Sequence, residues 1–164
     1  MSFNPSNEAI LTDSPERIVS FSPSNTEILF AVGAGDKVVG VTYYCNYPDE
    51  LEARIETKEI LNVGGYWNPS VEAIVDLKLD LVLVSRAKCS VKTNNCRTNY
   101  RCRYELTLNV ANKLERLGLN VLMSAPHNMN DVLDSILLVG TVTRKSAQAS
   151  DLVDNLRQRI DMVV

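Results

Sequence analysis

The chain has 164 residues, 45% of them hydrophobic and 23% charged, the make-up of one ordinary soluble domain able to bury about 70% of its unfolded surface. Its formal net charge of −3 lacks the basic excess that nucleic-acid binding draws on, so no nucleic-acid partner is expected. No apolar run approaches the roughly 18 to 20 residues that cross a bilayer, and residues 1–14 (MSFNPSNEAILTDS) have neither the basic start nor the apolar centre of a secretory signal.

Taken in order, the chain alternates strand-like and helix-like pattern, which predicts a parallel sheet covered by helices. Residues 17–21 (RIVSF) read as a first strand. Ser24 stands three residues ahead of Glu27, the spacing of a capping box, and opens a helix that buries Ile28, Leu29 and Val32 and stops at Gly33 and Gly35. Residues 37–42 (KVVGVT) form a second strand. After a tyrosine-rich loop, Asn68 and Pro69 read as the cap and first residue of a helix with Val71, Ile74 and Val75 inward. The third strand is 80–85 (DLVLVS). A helix from about Tyr104 carries Leu106, Val110, Leu114 and Leu117 at helical spacing, with Gly118 as its stop, before a fourth strand at 120–124. Two helices finish the chain, one lined by Val132, Leu133, Ile136 and Leu137, the other by Val153, Leu156 and Ile160 without a stop signal before Val164. The expected fold is a three-layer, Rossmann-like α/β domain with about four parallel strands.

Ligands of open α/β sheets sit beyond the carboxyl ends of the strands, so the loops there form the expected functional rim. Ser22-Pro23-Ser24-Asn25 brings hydroxyls and free helix-start amides to it. Tyr43, Tyr44 and Tyr47 supply three phenols in five positions, and Gly64-Gly65-Tyr66-Trp67-Asn68 supplies the sole tryptophan. Aromatic rings in such a place can cover a flat apolar macrocycle at little rotamer cost. Glu72 falls in the first turn of its helix, where the dipole favours a carboxylate.

Catalytic patterns are missing. There is no P-loop, no G-x-S-x-G elbow and no H-E-x-x-H, and Gly33-Ala34-Gly35 follows a helix where a dinucleotide fingerprint follows a strand. The only histidine, His127, stands alone in a loop, so the chain does not read as an enzyme. Residues 86–103 (RAKCSVKTNNCRTNYRCR) hold six basic side chains and no acidic one, with Cys89, Cys96 and Cys102 spaced along them. Such a stretch lacks the apolar content to fold alone, and a cross-link would help to order it. Cys45 makes the cysteine count even; it follows the second strand as Cys89 follows the third, which places a disulfide from Cys45 into this segment within reach and leaves three pairings open. A zinc site is the alternative, but no C-x2-C pair occurs and no metal ligand is assigned. A thiol-rich metal or redox module on the same sheet is the competing function.

Residues 17–48 (RIVSFSPSNTEILFAVGAGDKVVGVTYYCNYP) and 64–85 (GGYWNPSVEAIVDLKLDLVLVS) together resemble the helical-backbone (class III) periplasmic solute-binding proteins of ABC importers. The run from Tyr44 through Trp67 to Glu72 is most similar to the vitamin B12-binding members. The resemblance implies the amino-terminal lobe of a two-lobed binding protein over 17–164, behind a short extension at 1–16 and interrupted by the basic segment at 86–103, where the family passes quickly to the next helix. Leu79 stands where relatives often have proline. The resemblance implies no cofactor, a corrinoid such as cobalamin as ligand, with haem or an iron-siderophore as the alternative, and an ABC permease as partner. It places Ser24 in the cleft, Tyr44 and Trp67 against the corrinoid with Tyr66 as a further ligand-binding candidate, and Glu72 on arginines of the permease. A lone lobe is expected to bind weakly unless two copies pair as a homodimer through the open cleft. The implied location is periplasmic or extracellular, with a lipoprotein signal absent from these residues.

Overall fold

The computed structural model describes residues 14–85 and 100–163, and over 100–107 the helix backbone alone. Most of the extension expected at 1–16, and residues 86–99 with Cys89 and Cys96, lie outside the described residues, as does the Cys102 side chain. Five parallel strands form one sheet: β1 (Ile18–Ser20), β2 (Val38–Val41), β3 (Leu61–Asn62), β4 (Leu81–Ser85) and β5 (Val121–Ser124). Their order across the sheet is β3-β2-β1-β4-β5. The helices are α1 (Pro23–Ala31), α2 (Asp49–Glu56), α3 (Val71–Asp76), α4 (Tyr100–Arg116), α5 (Met129–Val142) and α6 (Ser146–Asp161).

Alternation along the strands sorts the interior into two layers, because successive strand side chains point to opposite faces. Ile18, Leu81, Leu83 and Leu122 pack with Leu29 of α1, Leu51 of α2, Leu133 and Ile136 of α5 and Val153 of α6. Their neighbours Val19, Val82, Val84 and Val121 pack on the other face with Ile74 of α3 and Leu114 of α4. Strands buried on both faces read as continuous apolar runs, as in Leu81-Val82-Leu83-Val84, all four buried. Gly33 (φ 78°) and Gly118 (φ 84°) terminate α1 and α4 in the left-handed conformation expected of them. At the foot of the sheet, opposite the rim, the Asp80 carboxylate accepts the backbone N–H groups of Glu16 (2.8 Å) and Arg17 (2.9 Å).

The structure departs from the sequence expectation in four places. A fifth strand, β3, and the helix α2 occupy a stretch read as loop: α2 buries Leu51 alone and both residues of β3 are exposed, so neither carries much apolar pattern. The cap of α1 is Ser22 and not Ser24; its side chain accepts the Asn25 N–H at 3.3 Å. Pro23 dictates this, since it fixes the first helical φ and holds the residue before it extended. The cap of α3 is Ser70 and not Asn68, because Pro69 is drawn into a bridge with Gly64. Val75, Leu117 and Val132, expected inward, are exposed.

Helices α5 and α6 touch where a side chain would not fit. A Cβ on Gly140 would lie 2.3 Å from the Ala149 Cβ and 3.1 Å from the Lys145 carbonyl oxygen. Gly140→Ala is therefore expected to destabilise the domain by about 1–3 kcal/mol, since a packed interior resists added volume. Urea unfolding monitored by circular dichroism checks this; an unchanged midpoint would show that the two helices separate freely.

Candidate functional site

The crossovers set the site. Strands β1 and β4 are neighbours, yet the helix that follows β1 packs on one face and the helix that follows β4 on the other. The chain thus diverges at their carboxyl ends, the position where open α/β sheets open a crevice.

Hydroxyls converge there. Ser22 caps α1, Ser24 lies in its first turn and Ser85 ends β4; Ser22 Oγ is 2.8 Å from Ser85 Oγ and 3.2 Å from Ser24 Oγ, and Ser24 and Ser85 are 3.4 Å apart. Ser124, at the end of β5, donates to Asn25 Oδ1 at 3.3 Å. Asn25 is buried, and its Nδ2 has no hydrogen-bond partner among the described residues. Sequence reading placed Ser24 here but singled out neither Asn25, Ser85 nor Ser124. Ser85 and Ser124 each end a strand and Asn25 lies in the first turn of the helix that follows one, the signal that would have found them.

The aromatic residues come from two loops held side by side. Tyr43 N–H donates to the Gly64 carbonyl at 3.1 Å, which ties the loop after β2 to the loop after β3. The second loop owes its rim position to β3, the strand that the sequence pattern hid. It turns on Gly64, whose φ of 103° favours glycine. At Gly65 a Cβ would meet Asn68 Oδ1 at 2.3 Å. Trp67 meets Tyr44 edge-on (centroids 6.3 Å, 65°) and Tyr66 likewise (5.2 Å, 80°), the geometry that aromatic quadrupoles favour. Tyr43, Tyr44 and Tyr47 are 65%, 57% and 60% exposed. Tyr66 is not: it packs against the layer of Val63, Ile74 and Val84, its hydroxyl donates to the Ser85 carbonyl, and burial raises its phenol above the ordinary value.

Of the sequence-assigned ligand residues, the structure brings Tyr44, Tyr66 and Trp67 into contact, and Tyr66 joins them to the serine cluster at Ser85. Glu72 stands exposed in the first turn of α3, with Ser70 Oγ donating to its Oε2 at 3.5 Å. The disulfide expected at Cys45 is not formed. Cys45 is a free, buried thiol, because a turn closed by its N–H on the Thr42 carbonyl (3.1 Å) directs its side chain inward, where Thr26 Oγ1 lies 3.2 Å from the sulfur. His127 lies in the loop just ahead of α5, its N–H donating to Asp131 Oδ2 at 2.8 Å. Among the described residues no group of three or more His, Cys, Asp or Glu could hold a metal ion, and no helix is long and apolar enough to cross a membrane.

Residues 18–164 match the profile of the family described as periplasmic binding protein. The chain belongs to that family. Among relatives of this periplasmic binding protein is the ABC transporter substrate-binding lipoprotein YvrC of Bacillus subtilis, 33% identical over 144 residues, covering 87% of this chain and 39% of the relative. The vitamin B12-binding protein of Yersinia pestis is 26% identical, covering 89% and 44%. The crystal structure of the periplasmic vitamin B12 binding protein BtuF of Vibrio cholerae superposes with a TM-score of 0.64 at 25% identity, covering 90% of this chain and 49% of that one. A periplasmic haem-binding protein from Pseudomonas aeruginosa superposes at 0.68 with 21% identity, over 90% and 45%, a likeness of fold alone. The chain thus spans less than half the length of these relatives.

Proposed function

We propose that this periplasmic binding protein chain is the amino-terminal lobe of an ABC-importer receptor that captures a corrinoid such as cobalamin on its aromatic rim. The observation that carries the proposal is the Tyr44–Trp67–Tyr66 cluster joined through Ser85 to the Ser22 and Ser24 hydroxyls. A macrocycle with a flat apolar face and a fringe of amides needs both parts: rings to cover the face, hydroxyls to meet the fringe. Tyr44 and Trp67 take the face, Tyr66 backs them, and Ser24 with the Asn25 amide serves the fringe. The likeness to B12-binding proteins of Yersinia and Vibrio supports this choice of ligand. No bond is made or broken. The captured ligand passes to a membrane permease, on which exposed Glu72 docks by charge-assisted hydrogen bonds to arginine. Such a receptor works outside the cytoplasmic membrane.

One rim covers one side of a macrocycle, so affinity is modest, with a Kd of about 10 μM or weaker. Two copies paired rim to rim would supply the other side. Native mass spectrometry with hydroxocobalamin, and separately with haemin, tests both points. The expected result is a corrinoid adduct, with doubled mass if copies pair. A haemin adduct without a corrinoid adduct would replace the ligand, and no adduct with either would remove the capture reading.

A further inference from the structure

The geometry points to Tyr66 as the positioning residue of the rim, holding the indole of Trp67 at a fixed angle to the end of β4. This rests on reading the rim as the ligand face.

Tyr66 differs in kind from the other rim tyrosines. Tyr43, Tyr44 and Tyr47 stand well exposed, whereas the Tyr66 ring is seated on the core layer formed by β4 and α3. Its two ends are both engaged. The hydroxyl donates to the backbone carbonyl of Ser85, and the ring meets Trp67 in a T-shaped contact at 5.2 Å and 80°. The loop is fastened at its base by the Gly64–Pro69 bridge, by the Tyr43 N–H on the Gly64 carbonyl and by the Gly64 N–H on Asn62 Oδ1. From its tip, the Tyr66 phenol reaches across to the sheet. Ser85 in turn meets Ser22, the cap of α1. A continuous path therefore runs from the indole to the switch point, and through it the angle of Trp67 is referred to the sheet. An indole so held is ready for a flat ligand, and the cost of ordering it does not fall on binding.

The test exploits the fact that Trp67 is the only tryptophan, so its emission reports on this one ring. Tyr66→Phe keeps the ring and its seat and removes only the hydroxyl. In the ligand-free variant, acrylamide quenching of Trp67 is expected to rise and its emission to move to longer wavelength, while Tyr47→Phe leaves both unchanged. Hydroxocobalamin is expected to bind the Tyr66→Phe chain about three- to tenfold more weakly, the effect of one net hydrogen bond. Unchanged quenching in Tyr66→Phe would overturn the assignment. A second reading needs no variant: in the native chain, the anisotropy of Trp67 should decay with the tumbling of the whole domain, and a dominant faster motion of the indole would overturn it equally. Both optical measurements are made without ligand, so they decide the role of Tyr66 even if hydroxocobalamin does not bind.

Discussion

Replacing Trp67 by alanine is expected to weaken corrinoid binding by about 30-fold or more while leaving the fold in place. Interface energy concentrates in a few large aromatic side chains, and truncating one of them commonly costs about 2 kcal/mol or more. Trp67 is the ring that both Tyr44 and Tyr66 meet in T-shaped contacts, so its loss also leaves those two rings without their shared neighbour. The residue lies on a loop and belongs to neither buried layer, so the thermal midpoint should move by only a few degrees. Calorimetric titration with hydroxocobalamin reads the affinity and circular dichroism reads the midpoint. A Kd within threefold of the native value would remove Trp67 from the ligand contacts.

The second large effect concerns the scaffold. Leu29→Ala is expected to lower stability by about 2–5 kcal/mol, the range for a fully buried leucine whose site collapses only partly. Leu29 is wholly buried in the layer that holds Val41 of β2 and Leu133 and Ile136 of α5, so the void opens between a helix, the sheet and a second helix. For a domain of this size each kcal/mol corresponds to roughly 2–4 °C in the melting temperature, which makes a fall of about 10 °C the central expectation. Differential scanning calorimetry measures it directly. A fall of less than about 2 °C would mean that α1 settles into the gap, contrary to a tightly packed interior.

How much of this was legible in the sequence depended on how much each residue's role is local. Leu81 to Val84 announced a central strand because all four side chains are buried, and Gly33 and Gly118 announced helix ends because few other residues adopt their φ easily. The helix α2 and strand β3 stayed hidden because their order comes from packing: Leu51 is the sole buried residue of one and both residues of the other are exposed. Both caps were misplaced by two residues: at α1 proline holds its predecessor Ser22 extended, a steric effect stronger than the Ser-x-x-Glu spacing, and at α3 the bridge to Gly64 takes Pro69 out of the helix. Cys45 was expected on the same rim as Cys89 because each follows a strand, but a turn hydrogen bond directs its side chain inward as a free, buried thiol. The aromatic cluster was legible as composition but not as contact. That Tyr44 and Trp67 touch follows from β2 and β3 being neighbours, and the sequence pattern did not disclose β3.

The three serine hydroxyls at the head of α1 have a further property. Ser22, Ser24 and Ser85 lie 2.8–3.4 Å from one another, and each oxygen can give one proton while accepting through its lone pairs. The sense of donation around this triangle can reverse by rotation of hydrogen atoms alone, with every heavy atom at rest. Turning one hydroxyl out of the triangle presents a proton to a carboxylate, and turning it back leaves lone pairs for an amide N–H, so this corner of the rim fixes where a polar group sits without fixing which polarity it must have.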